Sequence, residues 1–266
     1  MKKVFLIGST FDPWSWENYK SNTDKWIRVN NAEDAEILLF VDNDYISNDI
    51  TKKRILFLAE SIGIQPKLYN LIKNNKNYTN NFDLIGTCHR NYCNNVNIIE
   101  TPSCVGSSIH HYFNLNKNKL CSMIFSNKKF AIGHKLRKKI SEKKFIFDID
   151  KYGAMFNNFV KDKSVSLKDY YFSFSIENCS ESGYYTEKIN DCFATCTIPI
   201  YWGDPDISKI YNTDGILFLD RLNQDNVSKS FYDKNIKAIE ENYNIVNEIV
   251  KTNNMHYPIN YLLEKI

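Results

Sequence analysis

The 266-residue chain predicts an α/β fold made of two Rossmann-like halves, and three observations carry that prediction. Short continuous apolar runs bounded by turn residues recur along it, the pattern of strands buried on both faces of a parallel sheet. Polar, helix-like stretches separate those runs, which is α/β patterning. The series also runs twice, with the polar stretch Asn-Leu-Asn-Lys-Asn-Lys at 114–119 between the two passes. The expected division is 1–118 and 119–266.

In the first pass, Lys3 to Ile7 is the first strand, running into a Gly8-Ser9-Thr10 turn. Ala35 to Val41 and Ile55 to Leu58 are the next strands, followed by short ones at Leu84-Ile85 and Val96 to Ile99. The second pass opens with a strand at Cys121 to Phe125 and a basic helix over 131–141. Strands follow at Phe145 to Ile149, Tyr170 to Ile176, Thr197 to Trp202 and Ile216 to Leu219. Near the end, Ile236, Ile239, Tyr243, Val246 and Val250 fall at helical spacing and form one apolar stripe. That is the core-facing side of an amphipathic helix. A membrane-surface helix would want a more basic polar face.

Composition excludes several classes. Hydrophobic residues at 43% supply a core, so the chain is not intrinsically disordered. A formal charge of +3 is too mild for a dedicated nucleic-acid binder, and no nucleic-acid partner is expected. No stretch approaches the length of a membrane span, and the N-terminal apolar run is too short for a signal peptide. These features point to a soluble, cytoplasmic protein and leave room for peripheral membrane contact. The sequons at Asn77, Asn178 and Asn226 then carry no weight. Seven cysteines without a C-x-x-C pair read as buried, reduced thiols rather than a disulfide framework. A zinc site from Cys88, His89 and Cys93 has poor ligand spacing.

The chemistry concentrates in Tyr170–Pro205. The strand ends in Glu177-Asn178, polar groups at the edge where open α/β sheets bind ligands. A loop through Gly183 leads to Tyr184, Tyr185 and then Thr186, a good N-cap. Glu187 and Lys188 open the next helix. A lysine in a first helical turn opposes the helix dipole, a cost that makes sense where an anion sits. Glu187 suits sugar hydroxyls and Tyr184 suits stacking on a base or ribose, so the set fits a nucleoside diphosphate.

These residues also carry a resemblance. Glu177-Asn178, Gly183-Tyr184-Tyr185-Thr186-Glu187-Lys188 and Ile198-Pro199-Ile200-Tyr201-Trp202-Gly203 resemble the signature of the α1,3/4-fucosyltransferases, glycosyltransferase family 10. Cys179 stands where the family has Ser, and Tyr185 where it has Val. The similarity is strong from Asp148 (D-I-D-K-Y-G) to Asp220, traceable upstream through Ser126-Asn127, and poor over the first fifty residues.

The resemblance implies a GT-B type fold, two Rossmann-like domains facing across a cleft, and an inverting transferase. The N-terminal half is then the acceptor side, and the C-terminal half holds the donor, GDP-fucose in characterised members. Carried over residue by residue, Ser126, Asn127, His134, Tyr152, Gly153, Glu177, Asn178, Tyr184, Thr186, Glu187 and Lys188 form the donor site. Glu187 holds the ribose, and Lys188 holds the pyrophosphate and assists catalysis. Family members carry a general base at a strand end of the N-terminal half; here Glu60, in Leu58-Ala59-Glu60-Ser61, is the candidate.

One departure stands out. The family's phosphate-binding arginine on the helix after Ser-Asn aligns with Gly133 or His134, leaving His134, Lys135 and Arg137 as alternative cations. No cofactor and no metal are expected, since the triplets Asp42-Asn43-Asp44 and Asp148-Ile149-Asp150 arise readily in an Asp-rich chain. The expected partners are a nucleotide-sugar donor and a glycan acceptor. The competing reading is a non-catalytic homologue that binds a sugar nucleotide or glycan, or a transferase using a different nucleotide sugar.

Overall fold

A computed structural model describes residues 1–8, 26–47, 49, 51–92, 97–101, 107–109, 111–252 and 257–266. The expected turn at Ser9-Thr10, Val96, and the thiols Cys93 and Cys104 lie outside the described residues.

The chain divides into two compact units, Met1–Pro102 with Pro258–Ile266, and Ser103–Tyr257. The first holds strands β1 (Lys2–Gly8), β2 (Trp26–Arg28), β3 (Ile37–Val41), β4 (Lys53–Leu58), β5 (Leu84–Thr87) and β6 (Ile98–Glu100). They form one parallel sheet in the order β2-β1-β3-β4-β5-β6. Helices α1 (Pro66–Asn74) and α2 (Lys76–Thr79) lie between β4 and β5.

The period-two geometry of a strand explains why β3 is apolar at every position. Ile37, Leu39 and Val41 join one core cluster with Val4, Ile55 and Phe57, while Leu38 and Phe40 join a second with Leu56, Leu58 and α1's Leu68, Tyr69 and Ile72. Pro66 starts α1, where its missing N–H costs nothing.

The second unit holds β7 (Lys119–Ile124), α3 (Ile132–Glu142), β8 (Asp150–Tyr152), β9 (Tyr170–Ile176), α4 (Glu187–Phe193), β10 (Ile198–Trp202) and β11 (Leu217–Phe218). Helices α5 (Lys229–Lys234) and α6 (Ile236–Thr252) follow. The sheet is again parallel, in the order β11-β10-β9-β7-β8. Counted within the unit this is the doubly wound order 2-1-3-4-5, whose direction reverses between β7 and β9. On α6, Ile239 and Val246 of the predicted stripe are buried.

The observed division differs from the one read at 118/119. The polar stretch that reads as a linker is pinned to the second unit instead. The buried Lys117 ammonium donates to the carbonyl of Lys168 at 2.7 Å and to that of Thr195, and burial pulls its pKa down to about 8. The last helix, α7 (Tyr257–Glu264), packs on the first sheet rather than the second: Ile259, Leu262 and Leu263 cluster with Val4 and Trp26, and Trp26 donates to Asn260 at 2.8 Å.

Two strand assignments also change. Phe145–Ile149 is not a strand, although its residues alternate. Phe145 packs on Phe174 at 5.3 Å, Phe147 and Ile149 cover the same core, and the Ile146 N–H is satisfied by Gln224 at 3.0 Å without a ladder. The short strand β2, with its buried Trp26, lacks a run long enough to signal it. No helix among the described residues is long and apolar enough to cross a membrane.

Candidate functional site

A ligand in a doubly wound sheet is expected beyond the carboxyl ends of the strands where the order reverses. The second unit has a cavity of about 240 Å³ there. Its walls include Phe125 and Ser126 after β7, Ser175 and Ile176 of β9, Arg137 of α3, Lys163 from the β8–β9 connection, and Glu187, Lys188 and Cys192 of α4. Three cations thus face one carboxylate around a single opening.

The signature residues divide into those that build this site and those that face it. Glu177 builds. Its side chain is fully buried and accepts from the Thr186 N–H at 2.9 Å and the Thr186 hydroxyl at 2.8 Å. Its second oxygen lies 3.4 Å from the Lys188 ammonium. Thr186 caps α4 as expected and accepts from Lys188 Nζ at 2.7 Å. Gly203 closes the motif because a Cβ there would sit 2.3 Å from the Tyr201 hydroxyl and 2.6 Å from Glu177 Cγ.

Glu187 and Lys188 face the cavity. Burial works to raise the Glu187 pKa, but the Lys188 and Lys163 charges prevail and hold it at about 2. Burial likewise works against the Lys188 charge, and Glu177 and Glu187 override it, pushing its pKa above the usual lysine range. Both are charged at neutral pH.

Several sequence assignments are corrected. Tyr184, read as a stacking platform, is only 2% exposed and lies against Asn178, whose Nδ2 is 3.5 Å from its hydroxyl. Glu177 and Thr186 shape the loop rather than line the cavity. Tyr152 bonds to Tyr170 through the two hydroxyls at 2.6 Å, away from the cavity walls. Gly153, at φ 96°, turns the chain against Phe125, whose carbonyl oxygen a Cβ would approach to 2.5 Å. Asn127 lines a separate hollow with Lys128, Lys129 and Lys138.

The structure places the three cations of α3 differently. His134 is buried, and its Nδ1 accepts from the Ala131 N–H at 3.1 Å, closing the start of the helix. Burial and the Arg137 charge push its pKa down to about 4, so it is neutral at pH 7. Lys135 is exposed. Arg137 lines the cavity, donating through Nε to the Ile176 carbonyl at 3.1 Å and through Nη2 to Asn178 Oδ1 at 3.0 Å. It lies one helical turn beyond Gly133, on the same face.

Glu60 lies in the first unit, directly after β4. Its N–H donates to both Asp42 oxygens, at 3.2 and 3.1 Å, and its carbonyl accepts from Tyr69 at 3.0 Å. Asp42, at φ 48° after β3, also accepts from the Ala59 N–H at 3.0 Å. Desolvation raises the Asp42 pKa from 3.8 to about 7, against the pull of these hydrogen bonds. The fold therefore prefers the protonated carboxyl. That contribution to stability is complete below about pH 4 and is lost as pH rises to about 7. Unfolding free energies from urea titrations across this range are expected to fall by up to about 1.4 kcal/mol per pH unit, and Asp42→Asn is expected to flatten the slope. An equal slope in both proteins would refute the assignment.

Among the described residues, no group of three His, Cys, Asp or Glu side chains could hold a metal ion. Asp44 pairs with Lys67 at 3.1 Å, and Asp150 accepts from Tyr170 at 2.5 Å. Cys88 and His89 are buried in the first unit.

The folds and sequences of known proteins bear on this geometry. Among solved structures, an α1,3-fucosyltransferase aligns over 99% of this chain and 90% of its own, with a TM-score of 0.61 and 16% identity. The same enzyme type solved with GDP-fucose aligns over 92% and 81%, with a TM-score of 0.57 and 16% identity. A T4 phage BGT mutant solved with UDP-glucose aligns over 97% and 98%, with a TM-score of 0.50 and 10% identity. At these identities the likeness is one of fold, the GT-B fold. The α-(1,3)-fucosyltransferase FucT of Helicobacter pylori is 47% identical over 53 residues. That stretch is 20% of this chain and 11% of the relative's length. The model of the glycosyltransferase family 10 (fucosyltransferase) C-terminal domain matches residues 114–227, which include every residue named on the cavity wall. Residues 114–227 are thus similar to the C-terminal domain of glycosyltransferase family 10, the fucosyltransferases, and the chain matches only about a tenth of the length of this curated relative.

Proposed function

We propose that the chain is an inverting, metal-independent α1,3-fucosyltransferase that moves fucose from GDP-fucose to a glycan hydroxyl. The observation that carries this reading is the cavity at the β7/β9 reversal, where Arg137, Lys163 and Lys188 surround an opening that also presents Glu187. Three cations and one carboxylate suit a diphosphate whose attached ribose offers hydroxyls. Arg137 supplies the arginine that the Gly133 position cannot, which favours a working donor site over a degenerate one.

In this mechanism Glu60 takes the proton of the acceptor hydroxyl. The oxygen attacks the anomeric carbon from the face opposite the diphosphate, through an oxocarbenium-like transition state. Negative charge develops on the departing diphosphate, and Lys188 and Arg137 stabilise it. Glu187 holds the ribose. The buried thiols of Cys121, Cys192 and Cys196 support a proposed cytosolic setting.

A thermal-shift panel of GDP, GDP-fucose, UDP and CDP, each with and without EDTA, tests the reading. A ligand at a hundredfold excess over its Kd stabilises by about 2.7 kcal/mol, or about 5–11 °C for a unit of this size. GDP and GDP-fucose are expected to shift the second unit's transition equally with and without EDTA. A shift with UDP or CDP alone would replace the donor. No shift with any of the four would overturn the proposal.

A further inference from the structure

The family signature accounts for Lys188 but not for Lys163, which lies outside it, in the connection between β8 and β9. Lys163 nevertheless lines the same cavity, and its side chain is 26% exposed against 24% for Lys188. The two lysines are also held in the same way. Behind Lys188 stands Glu177, fully buried and saturated by the Thr186 N–H and hydroxyl. Behind Lys163 stands Asp191 of α4, also fully buried. Its Oδ1 accepts from the Ser108 N–H at 2.7 Å and the Ser107 hydroxyl at 2.8 Å. Its Oδ2 accepts from the Ser108 hydroxyl and from Lys163 Nζ, each at 2.5 Å.

Such an arrangement is a poor choice for stability alone. Taking a carboxylate fully out of water costs several kcal/mol, which the attraction of a lysine only about offsets, and a packed apolar pair would serve as well or better. It does fix an ammonium at the cavity wall. Asp191 is one turn along α4 from Glu187, so the ammonium that Asp191 holds lies beside the carboxylate that faces the cavity.

Resting on the donor reading above, we infer that Lys163 is a second phosphate-binding lysine of the donor site, with Asp191, Ser107 and Ser108 as its positioning residues. Lys188 reaches the cavity from α4 and Lys163 from the β8–β9 connection. The grip of Ser107 and Ser108 on Asp191 makes donor affinity depend on the segment that enters the second unit.

The test is titration calorimetry of the full chain with guanosine, GMP and GDP, on wild-type protein, Lys163→Gln and Lys163→Arg. A hydrogen bond to a charged group contributes about 1.5–3 kcal/mol, so Lys163→Gln is expected to weaken GDP by about tenfold to a hundredfold. GMP should weaken less and guanosine hardly at all, and Lys163→Arg should recover most of the loss. Lys163→Gln leaves Asp191 unpaired, so the double variant Lys163→Gln, Asp191→Asn removes both charges and is expected to show the same GDP-selective loss. Unchanged GDP binding in folded variants, or equal losses for guanosine and GDP, overturns the inference while wild-type binding still upholds the donor reading. Wild-type protein that binds none of the three overturns both.

Discussion

Gly133→Ala is expected to lower the melting transition of the second unit by about 4–8 °C and to abolish nucleotide binding. Two effects of opposite sign meet at this position. An alanine in a helix is worth about 1 kcal/mol over glycine, which would favour the variant. Against it, a Cβ on Gly133 would sit 1.8 Å from the Glu177 carbonyl oxygen, 2.8 Å from its carbon and 2.9 Å from Asn178 Cα. All three are backbone atoms, so no side-chain rotation relieves the contact. Nor can α3 move away freely, because the Gly133 N–H donates to the Asn178 carbonyl at 2.9 Å and Arg137 donates to the Ile176 carbonyl. Overpacking of this kind costs about 3 kcal/mol, which leaves a net loss of about 2 kcal/mol after the propensity gain, and about 2–4 °C per kcal/mol gives the stated shift. Calorimetry of variant and wild type reads it directly. A variant melting with the wild type would show that α3 does not lie against the end of β9. The same contact predicts that Gly133→Arg does not rescue an Arg137→Ala variant, although it restores the arginine where the family carries one.

Gly133 also shows where sequence reading stopped. β9 was legible end to end, Tyr170–Ile176, because its apolar residues sit between turn signals and need no partner to be recognised. Glu187 and Lys188 were legible through the spacing of a long motif. That Arg137 rather than His134 lines the cavity was not, because it turns on the approach of α3 to the Glu177 backbone, a contact between segments far apart in the chain. Lys163 gave no signal for the same reason: its partner Asp191 is 28 positions away, and the serines that hold that carboxylate lie on a third segment. Tyr184 misled because an aromatic ring in a motif reads alike whether it faces a ligand or the core. The return of α7 to the first unit was hidden because its few apolar residues, Ile259, Leu262 and Leu263, do not record which sheet buries them.

Glu60→Gln is expected to reduce turnover by about 10²–10⁴-fold, the usual worth of a positioned general base, with donor affinity and melting temperature unchanged. Each part of that expectation has its own ground. Glutamine keeps the shape and polarity of the side chain, so stability should stay within about 0.5 kcal/mol. The Glu60 backbone is pinned independently of the side chain, by Asp42 on its N–H and Tyr69 on its carbonyl, so the variant keeps its place at the end of β4. The cavity ringed by Arg137, Lys163 and Lys188 belongs to the second unit, so GDP should bind the variant as it binds the wild type. What is lost is an acceptor for the proton of the attacking hydroxyl. The pattern separates three accounts of the residue. A fall in kcat with unchanged GDP affinity identifies the base, a fall in both with a lower melting temperature identifies a structural carboxylate, and near-wild-type turnover removes Glu60 from the mechanism.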